Sequence, residues 1–338
     1  AEWRLNAQLM NGLRRSVTVV SAKWPSLDPC GAKRLDTQPR IIERAHRVTS
    51  WRVFPALACA ALLSGCVNVD IGPGDVVITD AVAQRQKLNF AGQPARAAPP
   101  PVGPSVEEGA LPAGFGDIHY AVTKVGTTKT LIVFCGGNTF REEYGGAARA
   151  TALAPFGDAF LFNYPGYAAS GGGGKREEFE AARPVIGAKV AALAAERGAK
   201  LLFWGHSLGG WYCSALASDA KAPSDLVVEG AFARFTDIAD ARAGLASPFV
   251  RLRVDPRVVR YDPPALLANY PGKIVVVASR EDETIPFKAT RRLAERLRAV
   301  GRDVTFVELK AGAHSTFYKD AEYREKVTAA LKAKGVGG

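Results

Sequence analysis

The sequence predicts an α/β domain: a mostly parallel, twisted sheet of about seven to eight strands with helices on both faces. Three observations carry this reading. From about Asp117 onward, short runs rich in Val, Ile, Leu and Phe alternate with longer helical stretches. Most of those runs are continuously apolar rather than alternating, as strands covered on both faces must be. And one run, in "LLFWGHSLGG" (Leu201 to Gly210), drives straight into a glycine-flanked serine that opens a helical pattern.

In chain order the expected strands are "IHYAVTKV", "TLIVFCGG", "AFLFNYPGY", "KLLFWGHS", "LVVEGAF", "KIVVVAS" and "VTFVEL". The helices between them are expected at 142–152, 177–197, 208–219, 287–300 and 321–334. Pro184 inside the second predicts a break or kink there. The stretch from Phe232 to Gly272, with "DPRVVRYDPPALLANYP", reads as a small cap or a meandering loop with little room for a lid.

The chain has 338 residues, 47% of them apolar, enough for one large domain or two ordinary ones. Its formal charge is +11, but residues 1–65 hold ten Lys and Arg against four Asp and Glu, leaving +5 for the rest. That excess is scattered, which argues against nucleic acid as a partner. The five cysteines (Cys30, Cys59, Cys66, Cys135, Cys213) form no CxxC pair and have no histidine at zinc-ligand spacing, so no metal is expected.

Arg52 followed by "VFPALACAALL" is a basic residue ahead of an apolar run too short to span a bilayer, the pattern of a secretory signal at 50–65. The run ends in "LSGC", Leu63 to Cys66, which resembles the lipobox of bacterial lipoproteins. That resemblance implies cleavage before Cys66, lipidation of Cys66 with attachment to a membrane, and, from Val67, the periplasmic face of the outer membrane. Residues 1–49 precede this signal and are expected to be an over-extended or non-native segment. Residues 66–116, ending in "AGQPARAAPPPVGPSVEEGALPAG", are expected to be the lipidated cysteine and a Pro/Ala-rich tether, with a short strand and a helical turn near its start. The main domain is then 117–338.

"GHSLGG" has the strand-turn-helix context of a nucleophile elbow. Side chains two residues either side of a serine on so tight a turn would collide with the strand or the helix, so Gly205 and Gly209 are needed. The turn also places Ser207 at a helix N-terminus, whose free N–H groups favour a developing oxyanion. From about Asp117 to its end the chain resembles the α/β-hydrolase superfamily. "NYPGYAASGG", Asn163 to Gly172, is similar to a loop of its lid-poor Bem46-like and serine-aminopeptidase-like members, so Ser170 is read as structural.

A serine hydroxyl needs a base, and histidine suits that near neutrality. Of the four histidines, His46 precedes the signal, His119 lies on the first strand and His206 inside the elbow. His314, in "LKAGAHSTFY", follows the last strand, where the resemblance places the catalytic histidine. "REDETIPF" sets Asp282 just past a strand end, and its D-x-x-I-P spacing is similar to the family's acid loop, with Glu281 and Glu283 as neighbours that could substitute. The order Ser207, Asp282, His314 is the order the fold implies. "FCGGN", Phe134 to Asn138, resembles the family's His-Gly oxyanion segment with Cys135 in place of the histidine. It implies donors at Gly137 or Asn138 together with Leu208.

The function implied is a serine hydrolase with an acyl-enzyme on Ser207, a small-molecule carboxylic ester as substrate and no cofactor. Amides and thioesters use the same machinery, as would an acyltransferase or peptidase, and a silent binding lipoprotein on the same fold is the reading from another class. Cys135 and Cys213 are expected to be two buried free thiols, because a strand end and the second turn of the elbow helix should stand about 9 Å apart.

Overall fold

The computed structural model describes residues 17–19, 67–88, 105–124 and 129–336. The signal sequence, Cys66 and residues 89–104 of the expected tether lie outside them. The strands are β1 (Val17–Val19), β2 (Val67–Ile71), β3 (Ser105–Pro112), β4 (Asp117–Lys124), β5 (Thr130–Cys135), β6 (Asp158–Phe162), β7 (Lys200–His206), β8 (Ser224–Glu229), β9 (Val250–Val254), β10 (Ile274–Ser279) and β11 (Val304–Leu309). The helices are α1 (Pro73–Val76), α2 (Asp80–Arg85), α3 (Glu142–Leu153), α4 (Arg176–Arg197), α5 (Leu208–Asp219), α6 (Phe235–Ala243), α7 (Pro263–Leu266), α8 (Phe287–Ala299) and α9 (Ala321–Lys334).

Eight strands form one sheet in the order β11-β10-β8-β7-β5-β6-β4-β3. The six from β11 to β6 are parallel, and β4 runs antiparallel to both β6 and β3. Successive residues of a strand face opposite sides, so each central strand feeds two cores. On β7, Leu201 and Phe203 join the core under α4, α5 and α8, while Leu202 and Trp204 join the one under α3 and α9. This double burial is why the central runs are apolar at every position.

Three expectations are corrected here. The stretch Ser105–Pro112, expected as tether, pairs along its whole length with β4 as the outer strand of the sheet. Its two glutamates, glycine and proline made it look like a linker, yet an edge strand tolerates them and they discourage pairing with other chains. Pro184 does not break α4, which runs unbroken for 22 residues. The proline sits on the exposed side of the helix, where the carbonyl it leaves free can face water.

The third correction is covalent: Cys135 and Cys213 are joined by a disulfide, with Cα atoms 5.8 Å apart. Rise along a helix overstated their separation, because the elbow folds α5 back beneath the end of β5. Gly209 lies directly against the Cys135 carbonyl, and one turn later Cys213 Sγ sits 3.4 Å from the Val133 carbonyl oxygen.

The 232–272 stretch folds as α6, a 3-10 turn (Gly244–Phe249), β9 and α7. β9 pairs in parallel with β2, and β2 pairs antiparallel with β1, in a separate three-stranded sheet. Among the described residues no helix is long and apolar enough to cross a membrane.

Candidate active site

The carboxyl ends of β5, β7, β8, β10 and β11 converge, as ligand-binding ends of open parallel sheets do. Ser207 is the residue between β7 and α5, held at φ 56° and ψ −121°, a backbone region that side chains rarely adopt. Its N–H donates to the Glu229 carbonyl at 2.9 Å, tying the turn to β8. A Cβ on Gly205 would run into the Gly209 backbone, 2.6 Å from its carbonyl carbon. A Cβ on Gly209 would overlap the Cys135 carbonyl and lie 2.6 Å from Gly136 O. Both glycines of the motif are therefore required by backbone on all sides.

Asp282 and His314 lie in the loops after β10 and β11, and His314 Nδ1 is hydrogen-bonded to Asp282 Oδ2 at 2.7 Å, both residues buried. The other carboxylate oxygen, Oδ1, accepts N–H groups from Thr284 (2.9 Å) and Ile285 (2.7 Å), which fixes its direction. The neighbouring acids hold the histidine loop instead of replacing Asp282. Glu281 accepts the Gly312 N–H at 3.2 Å and Glu283 the His314 backbone N–H at 3.0 Å. Burial opposes protonation of His314, but the Asp282 charge and hydrogen bond, then Glu283 and Glu229, outweigh it and raise its pKa above the usual 6.5.

The elbow and this pair are brought together around Gly230. A Cβ there would lie 3.1 Å from Asp282 Oδ2 and 3.2 Å from His314 Cε1. The His206 ring packs on the His314 ring with centroids 4.6 Å apart, and Ser207 is the next residue along the chain. Burial first, then the charges of His314 and Arg149, hold the His206 pKa well below the usual value, so that ring is neutral. On the other side of the elbow, a Cβ on Gly137 would be 3.5 Å from Ser207 Cβ. Leu208 opens α5, and Asn138 follows Gly137 in the same loop.

What holds that loop is not visible in the sequence. The Tyr167 hydroxyl donates to Asn138 O at 2.8 Å and accepts the Ile78 N–H at 2.9 Å. Arg141, buried against the Tyr167 ring, donates to Ile78 O at 2.6 Å and to Asp80. No local pattern could link residues 78–80 to a loop about sixty positions later. Ser170 donates to Asn163 O and accepts the His119 N–H, tying its loop to β4. A cavity of about 420 Å³, lined by Trp211, Phe235, Leu252, Val254, Arg260 and Tyr261 among others, lies beside α5, and none of Ser207, Asp282 or His314 lines it.

No protein-family model and no curated protein matches the chain. Solved structures do. The Pyrococcus furiosus esterase Pf2001 is 14% identical with a TM-score of 0.53, over 70% of this chain and 99% of that one. An arylesterase is 15% identical with a TM-score of 0.53, over 76% of this chain and 92% of its own. The acylaminoacyl peptidase of Pyrococcus horikoshii is 15% identical with a TM-score of 0.50, over 69% of this chain but 42% of its own. Strand order, crossovers and these likenesses agree that the chain has the α/β-hydrolase fold.

Proposed function

We propose that the chain is a serine hydrolase acting on small carboxylic esters, with Ser207 as nucleophile, His314 as base and then acid, and Asp282 as its orienting carboxylate. The observations that support this are the buried 2.7 Å pair of Asp282 and His314 and the packing of the His314 ring on His206, the residue before a strained, glycine-flanked Ser207. Because Nδ1 is committed to Asp282, Nε2 is the nitrogen left to take the Ser207 proton.

Ser207 Oγ attacks the ester carbonyl while His314 takes its proton, and the oxyanion is met by the Leu208 N–H and that of Gly137 or Asn138. Each such donor contributes about 3 kcal/mol to the transition state. The carbon–oxygen bond to the alcohol then breaks, His314 hands its proton to that oxygen, and water, activated by the same nitrogen, releases the acid and restores the serine.

The Cys135–Cys213 disulfide supports export, since such bonds persist in oxidising compartments. Together with "LSGC" it favours a cell-envelope enzyme lipid-anchored through Cys66. Radiolabelled palmitate incorporation lost in Cys66→Ser tests that part, and incorporation retained in the variant refutes it. The enzymatic reading is tested with nitrophenyl esters of increasing acyl length. Turnover by wild type and none above background by Ser207→Ala is expected; equal rates from both would overturn it.

A further inference from the structure

Behind the Asp282–His314 pair lies a second buried carboxylate that the scheme above does not use. Glu229 ends β8, directly across from His206 in the β7–β8 register, and its side chain is wholly buried. Its own carbonyl holds the Ser207 N–H, and the next residue is Gly230, where a Cβ would meet both Asp282 and His314. The carboxylate pairs with the Arg149 guanidinium from α3 and accepts the Tyr323 hydroxyl from α9 at 2.7 Å. His206 Nδ1 lies 3.7 Å from Glu229 Oε1 and has no hydrogen-bond partner among the described residues. The other side of that ring meets His314 and Phe317, with centroids 4.6 and 5.7 Å away.

A buried ion pair is an expensive way to join a strand to two helices, since apolar side chains of similar volume do so as well or better. Its position matters more. It stands one imidazole away from the histidine that must become positively charged in the reaction.

We propose that Glu229 is a positioning residue for the hydrolysis: through the His206 ring it fixes the His314 imidazole, and its negative charge favours the imidazolium formed when Ser207 gives up its proton. This rests on the serine-hydrolase reading. The charged and titratable groups around His314 are Asp282 and Glu283 from the β10 loop, His206 from β7 and Glu229 from β8. Arg149 lies behind Glu229, and Arg242 from α6 behind the acid loop, where it donates to the Glu283 and Thr284 carbonyls. Among the described residues only Asp282 bonds the ring. Glu229 acts across His206, which cannot compete for the proton because it is held neutral.

The experiment is the rate of labelling by a fluorophosphonate, measured against pH on the full chain. The acid limb of that profile reports the pKa of the base in the free enzyme. In Glu229→Gln the limb is expected to move down by about half a pH unit or more, with the plateau rate reduced roughly tenfold. Glu229→Asp, which keeps the charge, is expected to return the limb to the wild-type position. A purely structural Glu229 would lower the rate equally at every pH, and an unmoved limb in folded Glu229→Gln overturns the proposal. That variant strands Arg149, so if it does not fold the same comparison is made with Glu229→Gln/Arg149→Gln, which leaves no lone buried charge. A downward shift there supports the proposal and an unmoved limb overturns it. Wild type that takes no label at any pH removes the hydrolase reading itself, whereas a labelled wild type with an unmoved variant limb removes only this inference.

Discussion

Adding one methyl group at Gly209 probes the elbow directly. The new carbon would overlap the Cys135 carbonyl and lie 2.6 Å from Gly136 O, where 3.4 Å is the near limit of ordinary contact. Both obstacles are backbone, so no side chain can rotate away. The first turn of α5 must retreat from β5 by about 1 Å, and Leu208, which opens that turn, moves with it. Overpacking of this kind costs about 3 kcal/mol, a drop in melting temperature of roughly 6–12 °C for a domain of this size. A shift of about 1 Å in a reacting group costs on the order of 100-fold in rate. Thermal unfolding and fluorophosphonate labelling of Gly209→Ala read the two effects separately. A variant melting within about 1 °C of wild type and labelling within about twofold would refute the argument that backbone packing dictates this glycine.

The disulfide closes a separation of 78 residues, so removing it as Cys135→Ala/Cys213→Ala should lower stability by up to about 4.5 kcal/mol by loop entropy. Urea titrations would show a lower midpoint, and a midpoint insensitive both to the variant and to reductant would contradict it. Asp282→Asn should keep the fold but cut ester turnover by roughly 10³ to 10⁴, because Nδ1 loses the acceptor that sets its tautomer. A loss under about tenfold would point to another acid. Neutral His314 is the active form and its pKa is raised, so wild-type activity should fall as pH drops, with its midpoint above the usual histidine value of 6.5. A midpoint at or below that value would show that the carboxylates do not outweigh burial.

What the sequence disclosed is what is encoded locally. Two glycines, a serine and an apolar run specify the elbow within ten residues, and the central strands are apolar at every position because both faces are covered. Asp282 and His314 were legible because each closely follows a strand and the fold fixes the order of those strands. The rest depended on contacts distant in sequence. Cys213 reaches Cys135 only because the elbow reverses the chain, β3 is a strand only because β4 lies beside it, and Arg141 meets Ile78 across sixty-three positions. Glu229 gave no signal, since a lone acid at the end of "LVVE" reads as the polar end of a strand.

Ser207 as an activated nucleophile is the point on which the proposed chemistry turns. It is tested most directly by treating the folded protein with a fluorophosphonate and locating the adduct by peptide mass spectrometry. One phosphonyl group per chain is expected on the peptide containing Ser207, absent in Ser207→Ala and strongly reduced in His314→Ala. No adduct on a folded wild type, or an adduct that persists in Ser207→Ala, would contradict it.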